Sequence, residues 1–286
     1  MSAALQSVAR GTNSLELTPD PTLAARHRMA VRDLRGAWAL RRLCWTLAWL
    51  DIKLRYRGSM LGPFWLTLST AIMVAAMGGI YAALFHMNLH EYLPFLALSL
   101  VLWGFLAALV GDASLGFTSS EGMIRSMRMP FTLYAARIVV RNVVVLAHNI
   151  VVIVAVFAIY GIWPGAIALL ALPAFALWLV DALAFSLTLG ALCARFRDIP
   201  PIVANVVQMM FFVTPVIWRP ELVGRDRMWL LPVNPFGSLL EIVRAPLLGE
   251  VPTAMTYVSA VLYSLLLLAL SWMLFVRVRN RIAFWV

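Results

Sequence analysis

Residues Pro63 to Phe85 read PFWLTLSTAIMVAAMGGIYAALF, an apolar run without a single charge. At about 1.5 Å of rise per residue, a helix of this length crosses a hydrocarbon layer about 30 Å thick. Five further runs follow: Leu93 to Gly111, residues 138–160 with an uncharged part from Val143, Ala166 to Cys193, Ile202 to Trp218, and Tyr257 to Val276. The Ala166–Cys193 run is longer than needed and holds Pro173 and Asp181, which predicts a tilt or kink rather than two crossings. The chain of 286 residues is 63% hydrophobic and 13% charged, with a mean hydropathy of +0.88. A soluble domain is about half apolar and a quarter charged. The expected fold is an all-α integral membrane protein with six transmembrane helices over residues 63–286.

Upstream of the first run, Leu40, Leu43, Leu47, Leu50 and Leu54 recur at steps of three and four, with Trp38, Trp45 and Trp49 on an adjoining stripe. That pattern predicts an amphipathic helix from Leu34 to Leu54, lying in the headgroup region within an N-terminal unit of residues 34–62. Residues 1–33 show no periodicity and read as a flexible cytoplasmic tail; they lack the apolar core and cleavage site of a signal peptide. Of 23 Lys and Arg, 19 fall before Pro63, between Asp112 and Asn142, at Arg195 and Arg197, or at Arg277, Arg279 and Arg281. By the positive-inside rule both termini are expected in the cytoplasm of a multi-pass protein. The net charge of +10 therefore reads as topology and membrane-lipid contact, not as a nucleic-acid surface. Cys44 and Cys193 fall on the same, reducing side, so no disulfide is expected.

The opposite side is short and nearly uncharged except for Arg219 to Ala254, where four arginines meet four acids. Residues 228–249 are too apolar for a solvated loop, and Asn234-Pro235 opens a short amphipathic helix from Phe236 to Leu248. Irregular backbone at bilayer depth must be buried in protein or face a water-filled cavity. Lys53 is the only lysine and stands in no glycine-rich phosphate loop, which excludes nucleotide hydrolysis by that route. Asp181 and His148 are ionisable groups inside apolar runs, read either as a proton relay or, in preference, as interhelical hydrogen-bonding groups, with Asn149 or His148 as the candidate partner of Asp181. His86 and His90 stand four apart with helical metal-ligand spacing, but at the end of a run where a loop pair explains them; no metal site is expected. Phe64, Trp65, Trp103, Phe211, Phe212, Trp218 and Trp229 are open to two readings, as stacking platforms for sugar rings or as interfacial anchors.

The string Arg55-Tyr56-Arg57-Gly58-Ser59-Met60-Leu61-Gly62-Pro63-Phe64-Trp65 resembles the entry to the first span of ABC-2 type permeases that export O-antigen, capsule and teichoic acid. Met129-Pro130-Phe131, Arg195-Phe196-Arg197-Asp198 and Asn234-Pro235 continue the resemblance in order, over roughly residues 34–286. Ser69 stands where many members carry proline, a feature closer to the O-antigen branch. The resemblance implies the transmembrane subunit of an ATP-driven exporter of polyprenyl-pyrophosphate-linked glycan in the bacterial inner membrane. It implies a homodimer paired with two copies of a separate ABC ATPase that binds ATP and magnesium, so the chain is expected to be no enzyme and to hold no cofactor.

Residues 119–131 match the family's coupling helix, with Glu121, Arg125, Arg128 and Pro130 as ATPase contacts. The 34–54 helix matches its gate-side helix, and Asn234, Pro235 and Phe236 open its outer gate. Arg55 and Arg57, just before the first span, carry forked donors suited to phosphate, either the carrier's pyrophosphate or an anionic lipid headgroup. An ABC-2 exporter of a drug or small lipid is the first alternative. A membrane-embedded glycosyl or phosphate transferase would need clustered acids, whereas Asp112, Glu121 and Asp198 are scattered; a scaffold with no path would leave the outer segment unexplained.

Overall fold

The computed structural model describes residues 22–62, 64–223 and 230–286. Residues 1–21 of the expected tail, Pro63, and Met228 and Trp229 at the start of the outer segment lie outside the described residues. Among the described residues every regular element is helical.

The expected tail ends earlier than residue 33. Leu23–Ala39 is a helix, α1, that buries Ala30, Asp33 and Ala37 at helical spacing. The chain breaks at Leu40 and resumes as α2, Arg41–Arg55, which buries Cys44, Ala48 and Ile52. The expected single helix over 34–54 is therefore divided between two, whose small residues face inward while Trp38, Trp45 and Trp49 stay exposed. Amphipathic rings left outside on such a helix suit headgroup depth.

Next come α3 (Phe64–Leu84) and α4 (Leu89–Ser114). Asn88 caps α4 by accepting from the His90 amide at 3.0 Å. About three quarters of the apolar stretch of α4 is buried and only three residues of α3, Val74, Gly78 and Ala82, so α4 is the central helix and α3 lies at the edge of the bundle. The short α5 (Glu121–Ser126) leads to α6 (Phe131–Tyr160), which ends at Gly161 in the left-handed conformation with φ 65°.

A 3-10 turn over Ala166–Leu170 precedes α7 (Ala171–Arg195). Pro173 falls in the first turn of α7, where its missing N–H breaks no helical bond. Residue 166 to residue 195 thus forms one candidate span, as expected. α8 (Ile199–Val213), α9 (Leu230–Val233), α10 (Pro235–Leu247), α11 (Ala254–Val278) and α12 (Ile282–Trp285) complete the order.

Among the described residues five helices are long and apolar enough to cross a membrane: α3, α4, α6, the span containing α7, and α11 with its extension. The run expected to cross at 202–218 is helical only as α8, about 22 Å at 1.5 Å per residue and short of a full hydrocarbon core. Pro215 explains the stop. The residue before a proline is driven out of the α region, and Thr214 accordingly has ψ 141°. Ser264 donates to Asp181 and Ser271 to the Ala184 carbonyl. Both positions advance together, so α7 and α11 run parallel and begin at the same end of the bundle.

Candidate functional site

The ends of the helices divide the charged residues into two constellations. At the arginine-rich end, the carboxylate of Asp51 on α2 pairs with Arg137 on α6, whose Nε lies 2.6 Å from Asp51 Oδ2. Arg141, one turn further along α6, reaches Asp51 at 3.4 Å and Asp112 of α4 at 2.8 Å. Asn142 adds a 2.8 Å bond to Asp112. The side chains of Asp51, Arg137 and Arg141 are 13%, 19% and 18% exposed, so water screens them little. This lattice ties the interfacial helix α2 to α4 and α6. Arg137 and Arg141 fall in the cationic stretch between Asp112 and Asn142; sequence reasoning missed Asp51, whose signal is a lone acid on a cationic amphipathic face.

Arg55 sits at the edge of the lattice, 3.8 Å from Asp112 and half exposed. Arg57 follows α2 and is exposed, with no ion pair among the described residues. Three guanidiniums, those of Arg55, Arg137 and Arg141, face two carboxylates there. The site therefore carries surplus positive charge, increased by Arg57 and suited to an anion. Burial raises the Tyr56 phenol above its ordinary value, against the pull of Arg55.

The α5 segment stands out from the same end. Glu121 and Arg125 pair at 2.8 Å across one helical turn, both exposed, and Arg128 is exposed beyond them. The inner side of α5 is anchored: Met123 and Ile124 pack against the buried cluster to which Phe117, Ile282 and Val286 belong, and Arg125 donates to the Val286 carbonyl at 2.7 Å. Arg195 lies over the rings of Phe196 and Trp285. Pro130 closes the segment and seats against Gly36, where an added Cβ would meet Pro130 Cγ at 3.0 Å.

At the opposite end, Arg244 of α10 is 1% exposed. It donates to Ser99 at 2.8 Å and to the Pro215 carbonyl at 2.5 Å, pairs with Glu241, and lies 4.3 Å over the Phe95 ring. Tyr92 donates to the Ile217 carbonyl at 2.6 Å. Asn234 caps α10 by accepting from the Gly237 amide at 3.1 Å and donates to Thr214 Oγ1 at 3.0 Å. Pro235 takes the first helical position, where its fixed φ fits and no N–H is needed. The irregular turn Thr214–Ile217 is buried, and side chains from α4 and α10 satisfy its backbone, as apolar surroundings require. Arg244 was missed as a site residue; an arginine inside the apolar helix EIVRAPLL was its signal.

The aromatic candidates separate. Trp103 is 6% exposed and packs against Phe211 and Phe236 at ring distances of 5.9 and 5.7 Å, so within the chain it joins α4 to α8 and α10. Phe64, Trp65 and Phe212 are exposed, and Trp218 donates to the Phe212 carbonyl at 3.0 Å. Phe64 and Trp65 lie on α3, Phe212 on α8. α8 has no buried residue and leaves Asn205 and Gln208, three apart on an apolar helix, exposed with Phe212; sequence reasoning passed over this pair.

Asp181 bonds a neighbouring helix through Ser264 at 2.6 Å, not through His148 or Asn149. Those two meet α3, where Thr67 donates to the His148 carbonyl and Thr70 lies 3.5 Å from Asn149. His90 packs edge-on to Tyr160, and among the described residues no group of three or more potential ligands could hold a metal.

The long apolar helices define, as a class, a multi-pass membrane protein. The chain belongs to the ABC-2 type transporter family, whose model matches residues 42–248. It is similar to the O-antigen export system permease protein RfbA of Myxococcus xanthus, 25% identical over 217 residues, covering 75% of this chain and 84% of that protein. Two proteins of the same name from Klebsiella pneumoniae are each 22% identical over 191 residues, covering 66% of this chain and 74% of theirs. It is thus a multi-pass membrane subunit of a transporter rather than an enzyme, and its family implies an ABC ATPase as partner.

Proposed function

We propose that this chain is the channel-forming subunit of an exporter that carries lipid-linked, O-antigen-like polysaccharide across the bacterial inner membrane, as a homodimer driven by two copies of an ABC ATPase. The uncovered face of α8 carries the proposal. Asn205 and Gln208 are exposed on a helix that is otherwise apolar, and an amide facing lipid hydrocarbon is costly. A second copy of the chain and a hydrated passage give those amides partners. The exposed rings of Phe64, Trp65 and Phe212 on α3 and α8 then offer apolar faces to sugar.

The arginine-rich end is cytoplasmic, with both termini there. The parallel run of α7 and α11 supports six passages, with the chain returning across the bundle through α8 and the turn at Thr214–Ile217. Residues 119–131 dock the ATPase through Glu121, Arg125, Arg128 and Pro130, and the partner holds ATP and its magnesium. Arg55 and Arg57 receive the pyrophosphate of the carrier lipid. Asn234, Pro235 and Phe236 begin the outer gate, held against Trp103.

The test is export in cells lacking the protein. Loss of surface glycan with lipid-linked polymer trapped inside is expected, and a Glu121→Ala, Arg125→Ala double variant reproduces it. Unchanged glycan in both compartments sinks the polysaccharide reading and favours export of a drug or small lipid.

A further inference from the structure

The Asp33 carboxylate is wholly buried, yet it belongs to none of the constellations above. Its Oδ2 accepts from the Phe131 amide at 3.1 Å, and its Oδ1 accepts from the Thr132 amide at 2.9 Å and the Thr132 hydroxyl at 2.8 Å. Arg279, just past α11, donates to Oδ2 from Nε at 2.8 Å. The first amides of a helix have no partner within it. Here an acid from a different helix satisfies those of α6, with the helix dipole and a guanidinium in its favour. One carboxylate thus joins α1, the start of α6 and the end of α11.

The location matters because of what precedes Phe131. Between α5 and α6 the backbone is extended, with Met127 at φ −134°, ψ 130° and Pro130 at φ −58°, ψ 134°. A displacement of α5 would dissipate in such a link unless its far end were fixed. Asp33 fixes it, and the contact of Gly36 with Pro130 presses α1 onto the link itself. α1 continues through Leu40 into α2, the interfacial helix, which Asp51 holds to the same α6.

We infer that Asp33 is a positioning residue for transport, the joint through which movement of the docking segment reaches the interfacial helix and the last span. The inference rests on the proposal that residues 119–131 dock the ATPase. It requires that loss of the charge at residue 33 leaves docking and ATP turnover in place while disconnecting them from α2.

The test uses the permease–ATPase complex purified together and reconstituted in lipid vesicles. Cys44 and Cys193 are buried, so a cysteine introduced as Leu54→Cys, at an exposed position on α2, carries a thiol-reactive fluorophore. ATP with vanadate should shift its signal in the parent complex. With Asp33→Asn, of nearly the same size, the shift should vanish and glycan exported per ATP hydrolysed should fall about tenfold, while co-purified ATPase and its turnover stay at parent levels. Thr132→Val, which removes one of the four bonds, should lower export per ATP about threefold. An Asp33→Asn complex whose reporter shifts as the parent does, or whose export per ATP is unchanged, overturns the inference. Full retention of ATPase by the Glu121→Ala, Arg125→Ala variant overturns the docking proposal instead.

Discussion

The two ends of the bundle solve the same problem, holding charge where lipid or packed helices surround it, in opposite ways. At the arginine-rich end five charged side chains on three helices share the work: Asp51, Arg55, Asp112, Arg137 and Arg141. At the far end one side chain, Arg244, meets four partners: Ser99, the Pro215 carbonyl, Glu241 and the Phe95 ring. A shared lattice loses one member gradually and allows its helices to shift, because a neighbouring ion takes over. A single buried cation fixes one arrangement. The comparison places compliance beside α5 and rigidity at the far end.

The largest expected effect breaks the concentrated end. Arg244→Met keeps much of the volume but leaves the Glu241 carboxylate and the Pro215 carbonyl without their donor. Truncating one partner of a buried pair costs about 3–5 kcal/mol, so the detergent-solubilised variant should lose many degrees of melting temperature. A variant that melts with the parent would show that Arg244 does not hold the turn. The distributed end should respond less. Asp51→Asn and Arg137→Gln should each cost about 1–2 kcal/mol, between the range for exposed pairs and that for buried ones. Their double-mutant cycle should give a coupling of about 1 kcal/mol. A coupling as large as the Arg244 loss would erase the contrast between the ends.

The same contrast decides what could be read from sequence. The apolar runs were legible because a membrane helix must be long and uncharged, and α3, α4, α6, α7 and α11 appear close to their expected places. The stop in α8 was legible only in part. Thr214-Pro215 marks a helix end, but the partners that keep a buried turn from unravelling, Tyr92, Arg244 and Asn234, come from distant sequence. Likewise the exposure of Glu121, Arg125 and Arg128 follows a short polar segment that is contiguous in sequence. Asp33 was not found, since its role depends on Phe131, Thr132 and Arg279 being folded against it. Without those contacts residues 23–33 have no reason to read as anything but a tail.

A smaller effect sharpens the picture of the far end. Asn234→Ala removes both the cap of α10 and the bond to Thr214 and should cost about 1 kcal/mol, visible as a modest drop in melting temperature. Asn234→Asp keeps an acceptor for the Gly237 amide and should recover most of that loss. If Asp does no better than Ala, the cap is not what Asn234 supplies.

The smallest effect concerns a thiol at the compliant end. Cys44 on α2 is 4% exposed and faces the Leu133 carbonyl of α6. Burial raises its pKa, with Arg137 opposing more weakly. Because the thiolate is the reactive form, Cys44 in the folded protein should react with maleimide far more slowly at neutral pH than a cysteine introduced at an exposed position. The sign of the linkage follows: a raised thiol pKa in the folded state leaves stability untouched below the ordinary thiol value and lowers it as pH rises through that range. Alkaline conditions should therefore loosen α2 from α6 and speed labelling more than thiolate formation alone explains, whereas a Cys44→Ala protein should lack that alkaline loss of stability. Rapid labelling at neutral pH would mean that α2 leaves α6 often, and that the lattice around Asp51 is a looser hold than its distances imply.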